Sequence, residues 1–399
     1  MKLAREVVII DYLRSPFSRS RPKEPEKDLL NGYTMDEVIG MLWKELVKRN
    51  NLDPKVIDEA VVGVARPVME MWTYGGKLPA FFAELPVEMA SQQVDQQCGS
   101  SLDALRTGAM AISEGFADVV LCAGMEHMTH IPLGGANPAV KISPKLSTDP
   151  RYKKYDIDFS RNMGFTAQKL QELAGFTREQ MDKWSLRSHQ LAAKAQKEGF
   201  FKEEILPIEI TLQDGSKQMY DYDACVRADT TIETLLQLKP AYKPDGSITA
   251  GNSSPLNAGA TSMLIMSRDK AKKLGMKPIA SFVSFGVAGV DPTIMGSGPV
   301  PASKKALEYA GMKAKDIDFW EINEAFSVVA LYCMRELGIA EEKVNVKGGA
   351  VAIGHPLGAT GLRLVGTLAR ILKMEGGKYG LATQCCGGGQ GVTAIIKKE

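Results

Sequence analysis

The feature that most constrains how this 399-residue chain folds is an internal duplication. Leu52-Asp-Pro-Lys-Val-Ile-Asp-Glu-Ala-Val61 returns as Met312-Lys-Ala-Lys-Asp-Ile-Asp-Phe-Trp-Glu321, an offset of 260 residues from 52 to 312. A helical pattern precedes each copy (35–49; 302–310), and a strand follows Asp58 and Asp318. The same offset carries Cys98-Gly-Ser-Ser-Leu102 onto Gly358-Ala-Thr-Gly-Leu362. Each of these opens a helical stretch, the first to Glu114 and the second to about Lys373. The apolar strands Val119-Val-Leu-Cys-Ala123 and Tyr379-Gly-Leu-Ala-Thr383 then correspond without a gap. Three elements sharing one offset argue for two similar halves. Each half alternates strand and helix, which predicts a mainly parallel sheet with helical crossovers.

The stretch between the halves differs. Residues 126–248 are rich in charge and turn residues, with helices predicted over 165–174 and 178–198, and read as an inserted loop domain. The first half resumes with a strand over 260–267 and a helix over 269–274. The expected division is therefore 1–125 with 249–275, then 126–248, then 276–399.

Composition excludes several classes. A net charge of +2 with 24% charged residues gives no reason to expect nucleic acid or an acidic membrane surface as partner, while leaving room for a local basic patch for a phosphorylated ligand. The six cysteines contain no C-x-x-C pair, which argues against structural zinc or a thioredoxin-like motif, and no metal site is expected. The run from Met1 to Ile10 is too short for a membrane span and lacks a small-residue cleavage site; Ile396-Lys-Lys-Glu399 carries no peroxisomal or lipidation tail. The expected location is the cytoplasm.

Four places carry residues suited to chemistry. Cys98 opens a helix, where free amides and the helix dipole favour thiolate; a buried structural cysteine is the equal alternative. His355, in Lys347-Gly-Gly-Ala-Val-Ala-Ile-Gly-His-Pro-Leu-Gly358, is enclosed by glycines, three residues before the counterpart of Cys98. A histidine beside a cysteine takes its proton; a turn-capping histidine is the bland reading. The other histidines read as a solvated His189 and a loop pair, His127 and His130. Cys385 ends a strand before Gly387-Gly-Gly389, whose amides can hold an oxyanion or merely turn a hairpin. That run lacks the dinucleotide spacing G-x-G-x-x-G. Asn323, between a strand from Phe319 and a helix to Leu337, reads either as a helix cap or as a donor to substrate or water.

Cys98-Gly-Ser-Ser, Ala123-Gly-Met-Glu126, Asn323-Glu-Ala-Phe326, Gly354-His-Pro-Leu-Gly358 and Cys385-x-Gly-Gly-Gly389 stand in the order and spacing of the thiolase family, which the chain resembles from Val7 to Ile395. The resemblance implies an α/β fold of two βαβαβαββ halves in a five-layer arrangement with an inserted loop domain. It implies Cys98 as acyl-accepting nucleophile, His355 as its base and Cys385 as the acid/base acting on the acetyl carbon. Asn323, through a water, and His355 would hold the thioester enolate; the amides of Cys98 and Gly387 would hold the tetrahedral intermediate. Arg227 and Ser254 would touch coenzyme A, and Met163, Met295 and Phe326 would line the pantetheine or acyl pocket. Coenzyme A enters as co-substrate, with no tightly bound cofactor.

Glu126-His-Met-Thr-His-Ile-Pro132 and Met295-Gly-Ser-Gly-Pro299 resemble the degradative 3-ketoacyl-CoA thiolases of fatty-acid β-oxidation more than the short-chain acetyl-CoA acetyltransferases, which are the alternative. Decarboxylating or HMG-CoA-forming condensing enzymes, and a non-catalytic acyl-CoA carrier or scaffold, would be expected to lose part of the catalytic set. The resemblance also implies a homodimer or homotetramer, with a β-oxidation multienzyme partner as a further expectation. Asp95, Gln97, Ala258 and Cys386 depart from the common pattern, as does 69–79 with Trp72 and Tyr74. Cys386 is expected to be non-catalytic and replaceable by Ile.

Overall fold

The computed structural model describes residues 3–133 and 141–399; Met1, Lys2 and residues 134–140 of the insert lie outside them. Twelve strands form among the described residues: β1 (Val7–Arg14), β2 (Ser18–Arg19), β3 (Glu59–Val64), β4 (Ala90–Val94), β5 (Val119–His127), β6 (Ile208–Thr211), β7 (Lys217–Tyr220), β8 (Asn257–Ser267), β9 (Ala280–Gly289), β10 (Phe319–Ile322), β11 (Tyr379–Cys386) and β12 (Gln390–Lys398). β6 and β7 make a separate hairpin in the insert. The others join in one sheet of order β10-β11-β12-β9-β1-β8-β5-β3-β4, with β2 beside β8.

The duplication is visible in this order. β4-β3-β5-β8-β1 and β10-β11-β12-β9 are two copies of one arrangement, joined where Val8 and Ile9 pair with Ser281 and Ala280. In the second copy the counterpart of β4 shrinks to a single bridge between Trp320 and Val344. The offset of 260 holds at the level of single bonds. Asp58 accepts from the amides of Asp118 and Val119, at 2.7 and 2.9 Å; Asp318 accepts from Lys378 and Tyr379 at the same distances. An acid at this corner satisfies the free donors that start each following strand.

The sheet is not mainly parallel, as the strand–helix alternation predicts. Only β3–β4, β3–β5 and β10–β11 are parallel. A crossover helix enforces parallel pairing only between the strands it joins. β12 instead returns through a tight turn beside β11, and β8 returns from the insert antiparallel to β5.

Three apolar clusters set the layers. One packs the helix Met35–Arg49 on the outer face of the first half-sheet. The second lies between the half-sheets and holds the helices Ser100–Ser113 and Thr360–Glu375. The third covers the outer face of the second half-sheet with the helices Pro299–Ala310 and Ser327–Leu337. The result is five layers, helix, sheet, helix, sheet, helix.

The insert contributes helices Met163–Ala174 and Arg178–Lys197, each started by a side-chain cap, from Asn162 and Thr177 respectively. Arg14 of β1 clamps the insert through fully buried bonds to Glu204 at 2.8 Å and Asp223 at 2.7 and 2.9 Å. Burial of that triad is tolerable because the fork of the guanidinium is matched by two carboxylates. Among the described residues, no helix is long and apolar enough to cross a membrane.

Candidate active site

The two central helices start side by side. The Ser101 hydroxyl accepts from the amide of Leu362 at 3.1 Å, and a Cβ on Gly361 would lie 2.4 Å from the Leu102 nitrogen. Glycine is therefore required there for the backbones to approach. This contact brings the Cys98 corner of the first half against the His355 turn of the second.

Cys98 follows Gln97, whose φ of +52° is a left-handed conformation uncommon for a side-chain-bearing residue. Asp95 stabilises that turn by accepting from the Gln97 amide at 2.6 Å. The Cys98 thiol is almost wholly buried, and the Gly387 amide lies near enough to favour its thiolate. Burial pushes the thiol up to about 12, against the lowering effect of that amide. Cys385 and Cys386 both feel the charge that Cys98 would carry as thiolate, so both lie within its electrostatic range. Burial raises both of these thiols well above the usual range.

The two neighbours point to opposite faces of β11, as successive strand residues must. Cys385 lies in the outer cluster with Phe326, Met295 and Cys333; Cys386 lies in the central cluster with Val392 and Leu102. Cys386 supports the nucleophile's turn from behind, since a Cβ on Gly99 would meet its sulfur at 2.6 Å.

His355 is 3% exposed, and burial lowers it to about 3. Its Nδ1 lies 2.7 Å from the Thr360 hydroxyl, which itself donates to the Pro356 carbonyl at 2.9 Å. With its single hydrogen spent on that carbonyl, Thr360 accepts, so Nδ1 carries the imidazole proton and Nε2 is left as a base. The Asn323 amide nitrogen faces Nε2 at 3.3 Å. The backbone amide of His355 donates to Asn257 at 2.8 Å, and Gly354 before it adopts φ +116° against the Asn257 side chain.

Asn323 is buried and does not cap the following helix. That helix begins after Phe326, which gives no side-chain cap. The loop is held instead by Glu324, which accepts from Trp184 (2.9 Å), Ser188 (2.8 Å), Asn345 (2.8 Å) and the amide of Val351 (3.1 Å). Residues 184 and 188 belong to the insert and 351 to the His355 approach, so one carboxylate ties three segments together. Glu126, at the end of β5, links the two halves again. It accepts from the Gly358 amide at 3.0 Å, and burial lifts it to about 7.

The binding residues implied by the sequence divide into two groups. Met163, Met295 and Phe326 share the outer cluster with Cys385, and Tyr242 meets Phe326 edge-on with centroids 6.3 Å apart. Ser254 lies beside the asparagine loop, its amide donating to Ala325 at 3.0 Å. Arg227 is exposed at the rim, its amide donating to Nδ1 of His189 at 3.2 Å. His189 is therefore buried rather than solvated, and burial lowers it to about 4. Its helix is charged overall, but this face packs inward. His127 ends β5 rather than belonging to a loop, and stacks on His130 with centroids 3.6 Å apart.

Sequence reasoning missed Thr360, Asn257 and the anchoring role of Glu324. Thr360 was findable, because it stands 260 residues after Ser100, whose hydroxyl likewise donates to a carbonyl of its own turn, Gln97 at 2.6 Å. Asn257 stands just before Ala258, which departs from the family pattern, but its bond to the His355 amide joins residues 98 apart and shows only in the fold.

Comparison with known proteins agrees with this fold. The thiolase N-terminal domain family matches residues 7–269, and the thiolase C-terminal domain family matches residues 276–398. A 3-ketoacyl-CoA thiolase of Marinobacter nauticus is 41% identical over 399 residues, covering 99% of this chain and 98% of that protein. The crystal structure of human mitochondrial 3-ketoacyl-CoA thiolase superimposes with a TM-score of 0.88 at 34% identity over 100% of both chains. The same human enzyme in complex with CoA gives 0.88 at 33%, covering 100% of this chain and 99% of that one. The Bacillus anthracis acetyl-CoA acetyltransferase gives 0.87 at 35%, again over 100% of both chains.

Proposed function

The chain belongs to the thiolase family and is an acyltransferase, and from that premise we propose that it cleaves 3-ketoacyl-CoA with coenzyme A, or runs the reverse condensation, through an acyl group on Cys98. The observation that carries the proposal is the convergence on one corner of Cys98 under the Gly387 amide, Cys385 beside it, and the Asn323–His355 pair.

In the cleavage direction the Cys98 proton passes to Nε2 of His355 as sulfur bonds to the 3-keto carbon. The amides of Cys98 and Gly387 hold the oxygen of the tetrahedral adduct. The bond between carbons 2 and 3 then breaks. Its electron pair becomes the acetyl-CoA enolate, whose oxygen is held by His355 and, through a water, by Asn323. Cys385 gives its proton to carbon 2 and acetyl-CoA leaves. An incoming coenzyme A returns a proton to Cys385 and attacks the acyl-cysteine; the Cys98 sulfur leaves and recovers its proton from His355. Burial keeps the thiol and imidazole both neutral before substrate arrives, so charge appears only where the fixed donors can hold it.

Coenzyme A would be a co-substrate held at Arg227 and Ser254, with Met163, Met295 and Phe326 along the pantetheine and acyl path. The division into 1–125 with 249–275, 126–248 and 276–399 is supported by the Arg14 clamp and by the two copies of the strand order. A homodimer or homotetramer is supported by the edge strand β4, flanked by exposed Met69, Trp72, Tyr74, Phe81, Phe82 and Val87. An apolar surface of this kind beside an open strand edge fits a second copy. Cytoplasmic location and a β-oxidation multienzyme partner belong to the same reading.

The degradative, broad-chain subtype is favoured by the 41% identical relative; the short-chain acetyltransferase is supported by the similar Bacillus anthracis structure. Coenzyme A-dependent cleavage of acetoacetyl-CoA beside a long-chain 3-ketoacyl-CoA separates them. Activity on both, abolished in Cys98→Ala, is expected. Activity on acetoacetyl-CoA alone would mark the short-chain enzyme, and binding without cleavage would sink the proposal in favour of a carrier.

A further inference from the structure

Arginines in this protein are almost all bonded to protein. Apart from Arg161, every arginine outside one corner donates at least one side-chain hydrogen bond. The exceptions gather at the rim of the active site. Among the described residues, the guanidinium groups of Arg19, Arg21 and Arg227 have no hydrogen-bond acceptor and no carboxylate partner. Arg19 and Arg227 are exposed and Arg21 half-buried.

The fold holds these three together. Arg19 lies in β2, opposite Asn257 of β8. The Asn257 amide nitrogen donates to the Ser18 carbonyl at 2.8 Å and to the Cys225 sulfur at 3.4 Å, so β2 and the segment leading to Arg227 share one anchor. That anchor is the residue whose oxygen receives the His355 amide, at 2.8 Å. Arg21 is pinned by its own amide to the Thr129 hydroxyl at 2.7 Å. The charges sense one another: besides burial, Arg21 and then Arg227 lower the pKa of Arg19. Asp28, a buried carboxylate of the same corner, is taken up by the hydroxyls of Ser18, Ser20 and Thr129 and by the amide of Leu30. It does not neutralise them.

Three unpaired guanidiniums in one corner repel one another, and each offers forked donors with nothing to receive them. An anion with several oxygens satisfies both needs. We propose that Arg19 and Arg21, with Arg227, form the subsite for the phosphates at the nucleotide end of coenzyme A. The inference rests on the reading of coenzyme A as co-substrate, and adds Arg19 and Arg21 to it. The rim then discriminates the phosphorylated nucleotide from a bare pantetheine arm, while the buried catalytic corner acts on the thioester.

Calorimetric binding of coenzyme A, dephospho-coenzyme A and pantetheine to the full-length protein tests this, beside the Arg19→Ala/Arg21→Ala double variant. The double variant is expected to bind coenzyme A roughly tenfold more weakly, about 1.4 kcal/mol, with pantetheine unaffected. Arg19→Lys/Arg21→Lys should restore much of the loss, and added salt should weaken the wild type more than the alanine variant. A loss for coenzyme A alone supports contact with the 3′-phosphate; a loss shared with dephospho-coenzyme A supports contact with the pyrophosphate. An unchanged affinity for coenzyme A, or an equal loss for pantetheine, overturns the subsite. Cleavage assayed in parallel separates the two readings. Turnover with unaltered binding in the variant removes only the subsite, whereas selective loss of binding without any turnover in wild type removes only the reaction.

Discussion

The two halves share a scaffold residue by residue and differ where the chemistry lies. At the offset of 260, Cys98 corresponds to Gly358, Asn323 to Gly63, His355 to Asp95 and Cys385 to Met125. Each of these proposed catalytic residues therefore has a counterpart unsuited to its task, and the site exists only where the two copies meet. The glycines show why. A Cβ at Gly358 would lie 2.3 Å from the Met125 carbonyl, and one at Gly63 would lie 2.4 Å from the backbone of Ser100. In these two of the four pairs one copy supplies a functional side chain and the other a glycine: Gly358 lets the first half approach across the seam, and Gly63 lets the helix from Ser100 pack on its own strand. Duplication provides a repeated strand-to-helix corner, and divergence divides the labour.

The comparison is broken most severely at Cys385. Cys385→Ala is expected to reduce turnover by roughly 10²–10⁴-fold, the range of a lost general acid/base, in steady-state cleavage of a 3-ketoacyl-CoA. Its neighbour Cys386 corresponds to Glu126 and faces the central helices, so Cys386→Ala should leave turnover within a few-fold. A comparable loss in both would defeat the division of roles. Replacement by Ile, acceptable from the sequence alone, now carries a packing cost of roughly 1–3 kcal/mol against Gly99 and Val392, readable as a lower urea midpoint.

The pair His355 and Asp95 makes a sharper test through pH. Burial lowers His355 to about 3 from 6.5, whereas burial raises the Asp95 carboxyl. A base lowered by folding gives stability that is complete above pH 6.5 and is lost as pH falls towards 3; a raised acid has the opposite sign, losing stability as pH rises. Between pH 7 and 5, His355 should account for roughly 2 kcal/mol of lost stability. Urea unfolding of His355→Gln should show a pH dependence smaller by that amount. An unchanged slope would mean that the imidazole is solvated in the native state.

The smallest effect expected is at the shared capping hydroxyl. Thr360→Val removes the acceptor for Nδ1 of His355 and should lower kcat about tenfold, in line with one lost buried hydrogen bond of roughly 1–2 kcal/mol. Ser100→Ala, at the matching position, should change stability more than kcat. Equal kinetic losses would show that Thr360 acts only as a cap.

The sequence by itself determined the duplication, the positions of the helices that start the site and the residue types able to do the chemistry. These are local properties: a repeated pattern, glycines around one histidine, a cysteine opening a helix. It misjudged what depends on the other side of a contact. His189 looked solvated because its helix is charged, yet one face is buried against the segment of Arg227. Asn323 reads either as a cap or as a donor; the cap is ruled out because the helix starts after Phe326, and its loop is held by Glu324 through Trp184, Ser188, Asn345 and Val351. The antiparallel share of the sheet followed from where β8 and β12 return. Only the tertiary structure decided the tautomer of His355, the opposite facing of Cys385 and Cys386, and the gathering of Arg19, Arg21 and Arg227. Each depends on hydrogen bonds, packing or charge between residues far apart in the chain, and such pairings leave no period in the sequence.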